Sequence, residues 1–200
     1  MSVKNTIEIN QAVKILNQGG IIIFPTDTAF GIGCRIDKPN SIKKLFRLRK
    51  RPSEMAVPVL VASIAMAEKY LLSPLPDNVR RIMQDYWPGG LTIIYKCQIS
   101  RVTPLVRGNG NTLGVRMPNY DKILEIIKRA GVPILGTSAN FHSDATPYRL
   151  EDLNKDLVRQ VDFVVGGVCK LKQASTVIDT TVSPWKILRQ GKTIININKY

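Results

Sequence analysis

Apolar residues at Ile9, Ala12, Val13 and Leu16 recur at i, i+3, i+4 and i+7, the stripe of an amphipathic helix, and Gly19-Gly20 supplies its stop. Ile21-Ile22-Ile23-Phe24 then runs to Pro25 without a polar break, which predicts a strand buried on both faces. The small and polar residues from Thr26 to Gly33 read as a loop. A helix begins near Pro39, carries Ile42, Leu45 and Phe46 on its inner stripe, and is ended by Pro52.

The pattern continues in kind. Val57 to Val61 predicts a strand, Ala65 to Leu72 and Asp77 to Tyr86 predict helices, and Leu91 to Tyr95 and Leu113 to Arg116 predict strands. Ile123, Ile126, Ile127 and Ala130 mark an amphipathic helix closed by Gly131. Pro133 to Leu135 is a short buried strand leading into Gly136-Thr137-Ser138-Ala139-Asn140. Beyond a helix at about Leu150 to Arg159, strands are expected at Phe163 to Val165, Thr176 to Ile178, Lys186 to Leu188 and Thr193 to Ile197. Alternation early and clustered strands late imply an α/β fold, a twisted mixed β-sheet flanked by helices. No repeat or linker-like segment divides it, so one domain over residues 1–200 is expected.

Composition narrows the function classes. At 44% hydrophobic and 22% charged, the chain of 200 residues is not of the disordered kind. Its longest apolar run, Val57 to Ala67, is broken by Pro58 and Ser63, so no membrane span is expected. The polar start Met1-Ser2-Val3-Lys4-Asn5 lacks the apolar stretch of a signal peptide, which points to the cytoplasm. Cys34, Cys97 and Cys169 are odd in number and have no C-x-x-C spacing, which supports neither a disulfide framework nor a zinc site. The one histidine, His142, has no nucleophile elbow around it, which argues against a triad. The 29 Lys+Arg against 15 Asp+Glu give a net charge of +14, which favours anionic partners, although a solvated basic surface accounts for the number equally well.

Four segments do not read as packing material. Pro25-Thr26-Asp27-Thr28, with Gly31 and Gly33, follows a buried strand, where α/β folds place ligand contacts; a strand-to-helix turn is the plainer reading. Lys43 to Arg51 holds six bases in nine residues. Lys43, Arg47 and Lys50 share a solvated face, whereas Arg49 lies seven residues after Ile42 and points inward, where a charge needs a partner. Arg51, placed just before Pro52, is a candidate phosphate ligand, with the helix C-terminus as its alternative partner. Gly136 to Asn140 groups two hydroxyls and an amide, with Thr146 beyond, and suits either anion recognition or a helix cap. The last segment pairs Ser175-Thr176-Val177-Ile178-Asp179 with Ile187-Leu188-Arg189-Gln190-Gly191, joined by Arg116, a charge inside a strand pattern. There is no P-loop and no G-x-G-x-x-G fingerprint. No carboxylate cluster forms an obvious metal cage, so magnesium would be carried on nucleotide phosphates.

In this order, the motifs resemble the YrdC/TsaC family of threonylcarbamoyl-AMP synthases, in its short, single-domain form. They are G-G-I-I-I-F-P-T-D-T-A-F-G-I-G (Gly19 to Gly33), R-K-R-P (Arg49 to Pro52), W-P-G-G-L-T (Trp87 to Thr92), G-V-R-M-P (Gly114 to Pro118), S-A-N (Ser138 to Asn140), S-T-V-I-D (Ser175 to Asp179) and L-R-Q-G (Leu188 to Gly191). The resemblance implies a YrdC-like domain with a basic concave cleft. It also implies synthesis of threonylcarbamoyl-AMP and pyrophosphate from L-threonine, bicarbonate or CO2, and ATP with Mg2+, the product serving a tRNA-modifying threonylcarbamoyl transferase complex. Carried over by position, Thr28, Arg116, Ser138 and Ser175 would meet threonine. Arg49, Arg51, Thr112, Asn140, Thr146 and Arg189 would hold ATP. Arg51 and Arg116 would stabilise charge, with no protein nucleophile.

Four positions depart from that pattern. Arg49 replaces the first Lys of a Lys-x-Arg motif, Met55 stands where a Lys is usual, Leu60 where a His is common, and Phe30 where a Tyr is common. Lys50 is the neighbouring cation that would compensate for Met55. Met55 and the net charge favour a different class, a non-catalytic YrdC-like paralogue binding double-stranded RNA or tRNA through the basic concave face.

Overall fold

A computed structural model describes residues 3–200. Helix α1 (Val3–Asn17) is followed by β1 (Ile22–Pro25) and β2 (Phe30–Gly33), then α2 (Pro39–Leu48) and β3 (Val59–Leu60). Next come α3 (Ile64–Glu68), α4 (Asp77–Tyr86), β4 (Leu91–Lys96), β5 (Thr112–Arg116) and α5 (Asp121–Ala130). The chain continues through β6 (Ile134–Leu135), β7 (Thr137–Ser138), a 3-10 turn (Leu150–Asp152), α6 (Lys155–Val158), β8 (Phe163–Val164), β9 (Thr176–Asp179), β10 (Lys186–Arg189) and a last 3-10 turn (Ile197–Lys199).

The strands form two mixed sheets where the sequence suggested one. The first has the order β7-β2-β1-β8, the second β10-β9-β4-β5-β3-β6. Strand β1 explains its own apolar run: Ile21 and Ile23 enter the main core, whereas Ile22 and Phe24 enter a second core with Ile9, Ala12 and Leu16 of α1 and Ile123, Ile126 and Ile127 of α5. Alternate residues of a strand face opposite ways, so a strand between two cores needs every position apolar. The chain passes from β6 in one sheet to β7 in the other through the single residue Gly136. A Cβ there would lie 2.4 Å from Leu60 Cγ, so only glycine lets the sheets meet this closely.

Several expectations are corrected. Half of the segment read as the loop Thr26 to Gly33 is strand β2, antiparallel to β1 and to β7. Helix α2 ends at Leu48, with Lys50 at φ +52° reversing the chain before Pro52 is reached. Val57 to Val61 pairs as a strand only at Val59–Leu60. The helix expected at Leu150 to Arg159 is split, because Asn154 accepts from the backbone N–H groups of Asp156 and Leu157 and starts α6 afresh. Thr193 to Ile197 joins neither sheet; Ile194 is exposed and Ile195 alone is buried. Among the described residues, no helix is long and apolar enough to cross a membrane.

Candidate active site

Where the two sheets meet, a cavity of about 230 Å³ opens to the surface. Its depth is set by the turn between β1 and β2. The Thr26 hydroxyl donates to Ala29 O at 2.7 Å and accepts from the N–H groups of Thr28 and Ala29. This closes the turn and aims Thr28 inward. Arg116, at the end of β5, reaches the turn from the other sheet: its Nη1 donates to Thr28 Oγ1 at 2.7 Å and its Nε to Gly89 O at 3.0 Å. Its Nη2 is ion-paired with Asp27. Burial lowers the Arg116 pKa, and Asp27 opposes that shift.

Ser175 and Arg189 form the facing wall. Ser175 Oγ lies 2.9 Å from Thr92 Oγ1 and accepts from Arg189 Nη2 at 3.0 Å, while Arg189 Nε donates to Ser175 O. An irregular register between Ile187 and Arg189 re-aims the arginine toward the cavity. Gly191 follows because its backbone lies against Ala174 and Ser175, where a Cβ would come within 2.2 Å of Ala174 O. Arg51 lines the remaining side. Its Nε donates to Met55 O and its Nη2 to Ala56 O, so the backbone after Pro52 orients it.

Behind the wall lies Arg49, 2% exposed. Its guanidinium donates to Thr137 Oγ1 at 2.6 Å, Asn140 O at 2.8 Å, Asn140 Oδ1 at 2.7 Å and Ser138 Oγ at 3.5 Å. Ser138 Oγ in turn donates to Asn140 Oδ1. Arg49 is thereby the clamp that shapes Thr137 to Asn140. Burial, and secondly the nearby charge of Arg51, brings its pKa down to about 10.

The structure therefore brings Thr28, Arg51, Arg116 and Ser138 around one cavity with Thr146, Ser175 and Arg189. Arg49 and Asn140 stand behind Ser138. Thr112 does not join them: it starts β5, paired with Lys96, at the opposite end of the strand from Arg116. Depth sorts the rest. Thr28, Arg116 and Ser175 are buried, whereas Arg51 and Thr146 are half-buried and Arg189 is exposed at the rim. Lys50 does not stand in for Met55, because its ammonium lies over the Phe141 ring, outside this cavity. Leu60 and Phe30 form an apolar side of the cavity with Phe24 and Pro58. Asp27 and Thr92 were passed over in the sequence, although both sit inside quoted motifs, T-D-T and G-G-L-T. Their partners Arg116 and Ser175 lie 89 and 83 residues away.

Of the cavity's arginines, only Arg116 has a carboxylate within 4 Å among the described residues. Arg51 and Arg189, like Arg49 behind them, are satisfied by carbonyls and hydroxyls that leave their charge uncompensated. Such an arrangement of guanidiniums and hydroxyls on a mixed α/β frame has the chemistry that suits small anions. The chain belongs to the Sua5/YciO/YrdC family, whose model, described as "Telomere recombination", matches residues 14–191. It is 31% identical to a threonylcarbamoyl-AMP synthase of Bacillus subtilis over 94% of this chain and 54% of that protein. It is 30% identical to the uncharacterized protein YciO of Escherichia coli K12 over 92% of this chain and 88% of that one. Among solved structures, Pyrococcus abyssi Sua5 complexed with L-threonine superposes with a TM-score of 0.87 at 28% identity, covering 92% of this chain and 54% of that one. The crystal structure of E. coli YciO gives 0.85 at 27%, covering 96% and 93%. The chain spans a little over half the length of the Bacillus and Pyrococcus relatives.

Proposed function

We propose that the cavity makes L-threonylcarbamoyl-AMP and pyrophosphate from L-threonine, bicarbonate or CO2, and MgATP, as a nucleotidyltransferase. The observation that carries this reading is the layering of the site. A buried amino-acid-sized pocket with Arg116, Thr28 and Ser175 lies beneath a rim of arginines that have no carboxylate partner among the described residues. Arg116 commits three of its five N–H groups to Gly89, Thr28 and Asp27, leaving one on each terminal nitrogen for a carboxylate. Threonine would bind there, with Ser138 and Ser175 beside the carbamoyl group. ATP would lie across the rim on Arg51, Thr146 and Arg189, with the Arg49-clamped Ser138 and Asn140 below it.

The threonine amine adds to CO2 and loses a proton, giving a carbamate; bicarbonate reaches the same species with loss of water, its hydroxyl leaving with the amine proton. A carbamate oxygen then attacks the α-phosphorus, and pyrophosphate leaves with the electrons of the broken P–O bond. Positioning and charge stabilisation suffice for such a step, so a protein nucleophile is not required. Arg51 and Arg189 would balance the charge that develops on the phosphate oxygens. Magnesium would enter as part of the nucleotide substrate, carried on its phosphates. The product would pass to a tRNA-modifying threonylcarbamoyl transferase complex. With carbon-13 bicarbonate, the adenylate should gain one mass unit; an unlabelled product would overturn the carbamate route.

A further inference from the structure

Of the three hydroxyls that would meet the amino acid and its carbamoyl group, two have no proton to give. Ser138 Oγ donates its proton to Asn140 Oδ1 at 2.7 Å. Thr28 Oγ1 lies 3.0 Å from Thr26 Oγ1, whose own proton is on Ala29 O, so Thr28 is the donor of that bond. A carbamate presents acceptor oxygens and needs donors. The third hydroxyl is that of Ser175, which is 6% exposed. Its oxygen accepts from Arg189 Nη2 at 3.0 Å and lies 2.9 Å from Thr92 Oγ1. Thr92 is buried as well, and its hydroxyl has no other hydrogen-bond partner among the described residues. Strand β4 runs parallel to β9 with Thr92 beside Val177, which sets Thr92 against the residue just before β9. Its methyl rests over Gly114, where a Cβ would lie 3.6 Å from Thr92 Cγ2. A β-branched side chain packed in this way has few rotamers, so Oγ1 stays on Ser175.

We propose that Thr92 is a positioning residue: it donates to Ser175 Oγ and so turns the Ser175 proton onto the carbamate oxygen. With both lone pairs of Ser175 taken, one by Arg189 and one by Thr92, its O–H points away from them into the cavity that both hydroxyls line. Two incoming donors, one of them a cation, polarise that O–H and make it the stronger donor of the pair. The opposite order, Ser175 donating to Thr92, would turn an open lone pair of Ser175 toward a negative oxygen. An ammonium in the same place would present N–H groups to the O–H. The relay therefore favours the carbamoylated amino acid over the free one. The proposal rests on the amino-acid subsite of the function proposed above and adds the residue that sets its preference for the carbamoyl group.

The test is calorimetry with two probes, L-threonine and the stable urea N-carbamoyl-L-threonine, whose carbonyl stands in for the carbamate oxygen. Thr92→Val keeps the shape and removes the hydroxyl. It should weaken binding of the urea about five- to tenfold, the loss of one hydrogen bond, and leave L-threonine within about twofold of the parent. Thr92→Ser should restore most of the urea affinity. Ser175→Ala should lose at least as much as Thr92→Val, and the double variant little more than Ser175→Ala alone. Equal losses for both probes would make Thr92 merely structural and overturn the proposal. Undiminished urea binding in Thr92→Val, or additive losses in the double variant, would overturn it equally. Failure of the parent to bind the urea would overturn it together with the amino-acid subsite. Pyrophosphate release is read separately: urea binding that depends on Thr92, without release, upholds the relay and defeats the synthase alone.

Discussion

Arg116 Nη1 donates to Thr28 Oγ1 at 2.7 Å across 88 residues of sequence, tying the end of β5 to the turn that follows β1. The same guanidinium pairs with Asp27, whose other carboxylate oxygen has no hydrogen-bond partner among the described residues. Asp27 is buried, so removing the arginine strands a charge. Arg116→Met should therefore destabilise the fold by about 3–5 kcal/mol. Adding Asp27→Asn should restore most of that loss in a thermal melt while synthesis stays abolished. Full stability in the single variant would show that the pair is not coupled.

Arg51 stands differently. Its partners are the carbonyls of Met55 and Ala56, and it is only half-buried. Arg51→Ala should leave stability within about 0.5 kcal/mol. Its rate of adenylate formation should fall by about 100-fold or more, the loss typical of a deleted electrostatic donor. Undiminished turnover would remove Arg51 from the proposed site.

Arg49 is expected to act through Ser138 and Asn140. Arg49→Met takes away the donors to Thr137, Ser138 and Asn140 at once and leaves buried acceptors unpaired, at a cost of about 1–3 kcal/mol. Calorimetry should show ATP affinity reduced about tenfold, with L-threonine affinity much less affected. Equal losses for both ligands would point to a general loosening of the cavity.

The cysteines supply a pH test. All three are buried, and burial pushes the Cys34 thiol up to about 12, with Asp37 adding to the shift. The folded state thus holds this proton to higher pH than the unfolded chain. Its contribution to stability is complete below about pH 9 and is lost as pH rises toward 12. Native protein should react slowly with a thiol reagent at pH 8 and yield three thiols on denaturation. Fast labelling of Cys34 in the native state would contradict its burial.

The helices were legible in the sequence wherever one face is apolar and the other charged, as in α2 and α5, because a core on one side imposes the 3.6-residue period. Strand β2 was not legible. Its Phe30-Gly31-Ile32-Gly33 has glycine at alternate positions because Phe24 and the Leu135 carbonyl occupy the space of a side chain, and a strand of that kind reads as a loop. The inward turn of Arg49 followed from its spacing after Ile42. Its acceptors did not, since they lie 88 to 91 residues away. Thr193 to Ile197 misled because β-branched residues signal a strand only where a neighbouring edge is free to pair.

The central claim is tested most directly by pyrophosphate release from MgATP, with L-threonine and bicarbonate supplied together and then omitted one at a time, and the adenylate detected by mass. Release that requires both co-substrates is the predicted result. ATP binding without release under any of these conditions would contradict the synthase and leave a non-catalytic member of the family.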